Sequence, residues 1–314
     1  MKLDKKDTQI LGILDWDARV PISSIAKKTQ LNKDVVRYRI NNLEKNQILE
    51  GYYAIINTSK LGYLTFRIYF DFINLNKQIE TRIIKYLDNK FNAGQIFSID
   101  GEYQLGVICW EKSVYELHKK LVDFKKTFGN FINKEEMTIF VSLDHYPRKF
   151  LNNTRKEVIS LKEEEKTKIK DEDIEILKEL SKNARVSSVD LSFKLKIPQT
   201  TIIHKIKQLI KEGIILGYRA KINTEKLDYQ NYYLSLYVNN TKEVREIMEY
   251  AKHNLNCIYS GQVIPEANIE IETEFQEKFE LLDFINILKE KFKSIKKIRY
   301  WSTLKYHKLN YFPF

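Results

Sequence analysis

The chain has 314 residues, of which 43% are hydrophobic and 12% aromatic, a globular composition long enough for two to four domains. Its formal net charge of +11 favours a polyanionic partner, although a lysine-rich solvated surface would give the same balance. No apolar stretch reaches the roughly 18 residues of a membrane span, and the N-terminus lacks the apolar core of a signal peptide, which predicts a cytoplasmic protein.

The chain contains a long internal repeat. When the sequence is aligned with itself at an offset of 166 residues, residues 7–63 match residues 173–229 without a gap. Of the 57 aligned positions, 21 are identical. One duplication with so long a period indicates a duplicated domain pair, because solenoid repeats are only about 20–50 residues long. Two copies of one surface in a single chain suggest a covalent counterpart of a symmetric dimer.

Residues 4–46 predict three short helices. Asp4 can cap the first helix, a second covers about 22–28, and a third covers about 33–46 after the cap residue Asn32. The short turn between the second and third helices is typical of a helix-turn-helix. The β-rich run at 48–56 then predicts a wing strand.

The third helix has a polar outward face that suits the major groove of DNA. Arg37 is a possible donor to guanine and Asn41 a possible reader of adenine, whereas Lys33, Arg39 and Lys45 suit phosphates. The candidate DNA-contacting residues of this copy are Lys33, Asp34, Arg37, Tyr38, Arg39 and Asn41. Any solvated helix is polar outside, and three-helix units also serve as docking modules, so the pattern alone leaves both alternatives open.

The second copy keeps the apolar core positions and changes the outward face. Three positions differ in character: Ile203 replaces Arg37, His204 replaces Tyr38 and Lys207 replaces Asn41. The candidate DNA-contacting residues here are Gln199, Thr200, Ile203, His204, Lys205 and Lys207. Such divergence is expected if the two copies contact different DNA sequences, or if one copy has lost its role.

Each helical module is followed by a βαββαβ pattern, which is typical of a ferredoxin-like domain. In the first copy, strands are predicted at 66–72, 95–100, 103–110 and 137–146, with helices at 79–91 and 114–128. In the second copy, strands are predicted at 232–238 and 298–306, a hairpin at 258–274 turning at Pro265-Glu266, and helices at 243–254 and 275–292.

The expected domains are 1–62, 63–147, 169–228 and 229–314, joined by a linker at 148–168. The mixed charge of that linker predicts an exposed helix or a stiff connection without chemistry.

The order of these elements and several short motifs resemble the Lrp/AsnC family of bacterial and archaeal transcription regulators. The motifs are Asp17-Ala18-Arg19-Val20 and Ile48-x-x-Gly51-Tyr52 in the first copy, and Asn183-Ala184-Arg185-Val186 and Gly213-Ile214-Ile215-x-Gly217-Tyr218 in the second. The resemblance implies an α+β fold in which two winged helix-turn-helix heads are held by an intrachain pair of ferredoxin-like domains. It further implies a sequence-specific transcription regulator that binds double-stranded DNA. Because the outward faces of the two third helices differ, the expected DNA site has two unlike half-sites. We expect no enzymatic activity and no cofactor. Further homo-oligomers are common in the family and are compatible with this chain.

Two departures from related proteins concern ligands. Family members often bind an amino acid near a Gly-x-x-Asp hairpin, but this chain has glutamine at Gln104 and isoleucine at Ile264 in the acidic position, so no effector residues are assigned. Siroheme decarboxylases share the architecture and carry histidine- and arginine-rich hairpin strands, whereas residues 97–103 and 259–262 contain neither residue type.

No phosphate-binding glycine loop, metal-ligand spacing or nucleophile motif is evident in the sequence. Cys109 and Cys257 lie in apolar runs and are expected to be buried, reduced thiols. Two alternatives to the regulator remain: a siroheme-decarboxylase-like enzyme on the same architecture, and a protein-interaction module that has lost DNA binding.

Overall fold

The computed structural model describes residues 3–153, 155–265 and 267–313, so the predicted turn residue Glu266 lies outside the described part. The first module consists of α1 (Lys5–Trp16), α2 (Ile22–Thr29), α3 (Lys33–Lys45) and β1 (Leu49–Ile56). Asp4 caps α1, since its carboxylate accepts the backbone N–H groups of Lys6 and Asp7. The predicted helix-turn-helix is therefore confirmed.

The first ferredoxin-like unit consists of β2 (Leu64–Phe72), α4 (Lys77–Asn89), β3 (Gln95–Asp100), β4 (Leu105–Glu111), α5 (Val114–Phe128) and β5 (Ile132–His145). A short strand, β6 (Ile159–Lys162), follows it. The apolar faces of α4 and α5 pack on one face of this sheet through Ile83, Leu87 and Phe124.

The second copy repeats both parts. Its helical module consists of α6 (Asp171–Lys182), α7 (Ser188–Leu195), α8 (Gln199–Lys211) and β7 (Ile215–Ile222). Its ferredoxin-like unit consists of β8 (Gln230–Val238), α9 (Thr241–His253), β9 (Cys257–Ile264), β10 (Ile269–Phe275), α10 (Lys278–Lys291) and β11 (Ile295–Leu309). The expected α+β fold, with two helix-turn-helix and two βαββαβ units, is confirmed.

The two ferredoxin-like units share one nine-stranded sheet with the order β2-β4-β3-β11-β8-β10-β9-β5-β6. Because β5 also pairs with β2, the first eight strands close into a ring. The long strands β5 and β11 make this closure possible. Each pairs along its first half with a strand of its own unit and along its second half with β9 or β3 of the other unit.

The strand predicted as a wing, β1, forms as expected, and its partner is the equivalent strand of the other copy. β1 and β7 make a separate antiparallel pair in which Tyr52 lies opposite Ala220 and Ala54 opposite Tyr218. Each strand also packs in the core of the opposite module, since Ala54 joins the α6–α8 core. The pairing satisfies backbone groups that a lone, buried strand would leave unpaired.

The prediction of an exposed helix between the two halves is corrected. Residues 148–168 contain a 3-10 turn at Lys149–Leu151 and the strand β6, which extends the sheet with Leu161 opposite Leu143. At the start of this segment Arg148 is buried. Local charge pattern could not show this, because the partners of Arg148 lie more than 100 residues away along the chain.

Both cysteines, Cys109 and Cys257, are buried free thiols as predicted, and burial raises the pKa of each. Among the helices that the structure describes, none has the length and apolar character needed to cross a bilayer.

Candidate nucleic-acid interface

The exposed face of α3 is set by its buried stripe. Val36, Ile40 and Leu43 are buried in the module core, so the residues between them face outward. Five of the six residues predicted for this copy are exposed: Lys33, Asp34, Arg37, Tyr38 and Asn41. They form one continuous polar face on the second helix of the helix-turn-helix pair.

Arg37 is held at the centre of this face by a weak contact. Its guanidinium donates a hydrogen bond to the Asp34 carboxylate at 2.7 Å, and the two side chains are 59% and 89% exposed. An ion pair this exposed contributes about 0–1 kcal/mol, so a base edge or a phosphate can replace it at little cost. Tyr38 beside it is 67% exposed and offers an aromatic edge.

Arg39, predicted to contact phosphate, is engaged elsewhere. Its guanidinium donates to Asp4 at 2.7 Å and to Asp7 at 2.8 Å, and its side chain is only 24% exposed. Hydrogen bonds to Asp7 and Asp4 raise the pKa of Arg39. Arg39 therefore links α3 to the start of α1. Its contact with DNA phosphate stays a prediction.

Lys205, the counterpart of Arg39 in α8, behaves in the same way. Its ammonium lies 3.0 Å from carboxylate oxygens of both Glu172 and Asp173, and its side chain is 12% exposed. Burial works against its charge, but hydrogen bonds to these two carboxylates raise its pKa. Both copies thus use this position to hold the third helix.

The other predicted residues of α8 are exposed: Gln199, Thr200, Ile203, His204 and Lys207. Gln199 donates a hydrogen bond to the Ser188 hydroxyl at 3.1 Å, which links the start of α8 to α7. This face is more apolar than that of α3, since Ile203 is 38% exposed and the neighbouring α7 exposes Phe193 at 80%. The first copy has arginine and lysine at the corresponding positions 37 and 27.

Sequence reasoning missed two exposed lysines beside the candidate reading helix. Lys27 and Lys28 occupy the last turn of α2, directly before the turn to α3. Two adjacent lysines directly before the turn of the helix-turn-helix could have indicated a phosphate-contacting position from the sequence alone. With Lys33 and Lys45 of α3, also exposed, they surround the polar face with positive charge.

Reciprocal backbone contacts fix the two helical modules to each other. The Ala18 N–H donates to the Tyr218 carbonyl at 2.9 Å, and the Ala184 N–H donates to the Tyr52 carbonyl at 2.9 Å. Arg19 donates a hydrogen bond to the Ala184 carbonyl at 2.5 Å. Its counterpart in the second copy, Arg185, donates one to the Ala18 carbonyl at 3.0 Å. These contacts therefore fix the relative orientation of the exposed faces of α3 and α8.

A buried ion network joins the first module to the ferredoxin-like ring. Asp15 accepts hydrogen bonds from Arg148 at 2.7 Å and from Arg219 at 2.8 Å, and Arg148 also binds Glu274 through two nitrogens, each at 2.9 Å. Burial alone would raise the pKa of Asp15, but the two neighbouring guanidinium groups outweigh it and lower the pKa. Within the described residues, no group of three or more His, Cys, Asp or Glu side chains is arranged to hold a metal ion.

Sequence comparison matches both helical modules. The model of the winged helix-turn-helix DNA-binding family matches residues 3–50 and 172–215. The leucine-responsive regulatory protein of Haemophilus influenzae is 46% identical over 56 residues, which cover 18% of this chain and 34% of that protein. The HTH-type transcriptional regulator LrpA of Pyrococcus horikoshii is 48% identical over 61 residues, or 19% of this chain and 43% of the relative. The chain thus spans less than half the length of these two relatives.

Two further comparisons extend beyond the helical modules. The siroheme decarboxylase NirDL has a TM-score of 0.65 over 98% of this chain and 93% of its own, at 12% identity, a likeness of fold alone. The HTH-type transcriptional regulator Ptr1 of Methanocaldococcus jannaschii is 30% identical over 122 residues, which cover 38% of this chain and 80% of the relative. With one helix-turn-helix and ferredoxin-like unit in each of its two halves, the chain belongs to the Lrp/AsnC family of transcription regulators.

Proposed function

We propose that the chain is a sequence-specific DNA-binding transcription regulator that reads two unlike half-sites through its two helix-turn-helix heads. The observation that carries this proposal is the pair α3 and α8. They occupy equivalent positions in fused copies, share a buried stripe, and expose different residues. Helices in this position enter successive major grooves, and each outward face then meets its own base sequence.

The exposed residues suggest a division of roles in the first head. Arg37 suits guanine and Asn41 suits adenine, since each side chain can make two hydrogen bonds to one base edge. Lys27, Lys28 and Lys33 suit phosphates, which position the helix without specifying sequence. Asp34 would then release Arg37 on binding.

In the second head, Gln199 and His204 are the polar candidates for base edges, with Thr200 beside them. The exposed methyl groups of Ile203 suit a thymine methyl. Lys207 supplies a phosphate contact. Residues 166–223 carry 13 basic and 7 acidic side chains, so a net charge of +6 draws this head to DNA although its face is more apolar.

We infer further that the chain acts as an intrachain pseudo-dimer in the cytoplasm. The reciprocal contacts of Ala18 and Ala184 and the shared ring of strands support this arrangement, because each half completes the sheets of the other. One chain would therefore do what two identical subunits do in a symmetric dimer. Assembly into larger homo-oligomers is compatible with it.

Selection from random duplex DNA with the purified full-length chain tests the function. The expected product is a DNA site with two different half-sites. A parallel selection with the Arg37→Ala protein should lose base preference in one of these half-sites only. Arg245→Ala, exposed on α9 of the second ferredoxin-like unit and outside both heads, is the matched control and should select the wild-type site. A perfect palindrome, or no enrichment of any duplex, would contradict the proposal.

The fold shared with NirDL keeps one enzymatic alternative specific enough to test. We propose that this chain is not a decarboxylase of that kind, because the strands at 97–103 and 259–262 contain neither histidine nor arginine. Titration with an iron tetrapyrrole should then give no new protein-dependent absorption band. A saturable band at one equivalent per chain would instead favour the enzyme.

A further inference from the structure

A two-part cavity lies between the β1–β7 pair and the ring of strands. The inner chamber has a volume of about 110 Å³ and the outer chamber of about 350 Å³. The two chambers share six lining residues: Tyr53, Tyr259, Glu272, Tyr306, Leu309 and Tyr311. The two chambers therefore adjoin one another at these residues.

Aromatic rings dominate the junction of the two chambers. Tyr53 stacks on Tyr311 with ring centroids 3.7 Å apart, and its hydroxyl lies 3.3 Å from that of Tyr259. Tyr306 contributes a further ring, and its hydroxyl is tied to that of Tyr233 at 3.1 Å. A tyrosine ring face carries negative electrostatic potential and attracts cations. Arg219 already lies over the ring of Tyr259, 5.6 Å from its centroid.

Two buried side chains lining the inner chamber have nitrogen atoms without hydrogen-bond partners. His145 is 6% exposed, and neither of its ring nitrogens has a partner. Arg67 is 5% exposed, and its Nε has none. Buried polar groups are nearly always paired, so such groups facing a cavity indicate a missing ligand or bridging water.

One carboxylate that lines the cavity forms no ion pair among the described residues. Arg67 is neutralised by Glu270 at 2.5 Å, and Arg148 by Asp15 and Glu274. Glu272 lines both chambers and accepts a hydrogen bond from Asn231 at 2.8 Å, yet no lysine or arginine of the described residues forms an ion pair with it. Burial raises the pKa of Glu272, although the charges of Arg67 and Arg148 oppose this. A cation bound beside Glu272 would favour its charged form, against the positive charge of Lys305, which also lines the outer chamber.

We propose that this cavity binds a small organic cation, an ammonium group carrying a short apolar body. The ammonium would lie at the junction against Glu272 and the tyrosine rings, and the apolar body would fill the inner chamber. A cavity of about 150 Å³ holds benzene, so the body is no larger than a small ring or a branched alkyl chain. A polar atom of the ligand or a retained water would pair with His145.

The position of the cavity gives binding a route to the heads. Tyr53 and Ile55 line it from β1, the strand that pairs with β7 and packs on both helical modules. A ligand bound in the cavity would displace the β1–β7 pair and so change the relative orientation of the two heads. This regulatory consequence rests on the proposed DNA-binding function, whereas the binding site does not.

Isothermal titration calorimetry of the full-length chain without DNA tests the site. The probes are 3-methylbutylamine, the neutral 3-methylbutan-1-ol and the anionic 4-methylpentanoate, which share one apolar group and differ in charge. The amine should bind saturably at one equivalent, and the alcohol and the acid at least tenfold more weakly. Equal binding of amine and alcohol, or no binding of the amine, would overturn the proposal.

Two variants locate the binding. Glu272→Gln keeps the acceptor for Asn231 and removes the charge, so amine affinity should fall at least tenfold while the thermal midpoint holds. Glu246→Gln, exposed on α9, is the matched control and should bind as the wild type does. Undiminished affinity in a folded Glu272→Gln protein would overturn the assignment. DNA affinity measured separately distinguishes failure of this site from failure of the regulator proposal.

Discussion

The guanidinium of Arg19 lies over the ring of Tyr218, 5.4 Å from its centroid, although the two residues belong to different copies of the repeat. The equivalent residues, Arg185 and Tyr52, make the same contact at 5.2 Å. Both residue types are identical between the copies. The repeat therefore preserves the two sides of an interface, which explains why identity persists at these positions while the outward helix faces diverge.

Removing either arginine should destabilise the whole chain. Arg19→Ala loses a hydrogen bond to the Ala184 carbonyl and the contact with Tyr218. A charged hydrogen bond contributes about 1.5–3 kcal/mol and a cation–π contact about 0.5–1 kcal/mol, and relaxation recovers part of both. We expect a loss of about 1–3 kcal/mol in urea unfolding, and a similar loss for Arg185→Ala. Arg245→Ala should stay within about 0.5 kcal/mol of wild type, and equal midpoints for Arg19→Ala and this control would contradict the expectation.

The buried network at Asp15 predicts a larger effect with a defined pH dependence. Asp15→Asn leaves Arg219 without its carboxylate partner, and breaking a buried pair typically costs about 3–5 kcal/mol. The pKa of Asp15 is lowered in the folded state, so its contribution is present above the unfolded pKa of about 3.9 and is lost as pH falls through the folded value. The difference in unfolding free energy between wild type and Asp15→Asn should thus be constant near neutral pH and become smaller in acid.

Asp123→Asn supplies the control for that comparison. Its ion pair with Lys126 is exposed on α5, with side chains 62% and 70% exposed. Exposed pairs contribute about 0–1 kcal/mol, so its unfolding curve should nearly match wild type at every pH. An Asp15→Asn protein as stable as Asp123→Asn at pH 7 would show that the network does not hold the module to the ring.

The sequence predicts the elements well because their signals are local. The Asp4 cap, the turn before Asn32 and the strand–helix order after position 63 each depend on residues a few positions apart. Apolar periodicity likewise placed Val36 and Ile40 in the core.

Long-range partners could not be predicted in the same way. In the sequence, Arg39 cannot be distinguished from the exposed basic residues near it. In the structure its guanidinium lies 2.7 Å from the carboxylate of Asp4, 35 positions earlier. Arg148 sits in a polar run, and its partner Asp15 lies 133 positions away. The pairing of β1 with β7 has no local signal either, since either strand alone suits a wing. Ion pairs and strand partners are set by tertiary contact, which a single sequence does not contain.

Arg37 and Arg39, two positions apart on α3, should separate DNA reading from stability. Arg37→Ala removes an exposed side chain, so unfolding should change by less than about 0.5 kcal/mol. If it reads a guanine, discrimination at that base should fall by about 1–3 kcal/mol in competition binding. Specificity unchanged at every base of the selected site would contradict its proposed role.

Arg39→Ala should show the opposite profile. It leaves the Asp7 carboxylate, whose side chain is 8% exposed, without its cation. We expect a loss of about 1–3 kcal/mol in unfolding free energy and an unchanged preferred DNA sequence below the melting point. A change of selected sequence with no loss of stability would show instead that Arg39 contacts DNA.

His145 should make the fold sensitive to mild acid. Burial, with Arg219 nearby, lowers the pKa of His145 well below its usual value, so the folded state keeps it neutral while the unfolded state takes up a proton below about pH 6.5. Stability should therefore fall with decreasing pH below that point by up to about 1.4 kcal/mol per pH unit. His145→Gln should flatten this slope between pH 6.5 and 5, and His204→Gln, exposed on α8, should leave it intact. Equal slopes in all three proteins would contradict the prediction.

Cutting the chain between its halves should leave them together. A protease site inserted between Glu165 and Lys166 lies in an exposed stretch outside the helices and strands. After cleavage the halves remain linked by the pairs β1–β7, β3–β11 and β5–β9, which lie on both sides of the ring and between the heads. The nicked protein should therefore elute at the volume of the intact chain and separate only in denaturant. Separate elution of two folded halves in native buffer would mean that the strands do not exchange between them, and the pseudo-dimer proposal would fail with it.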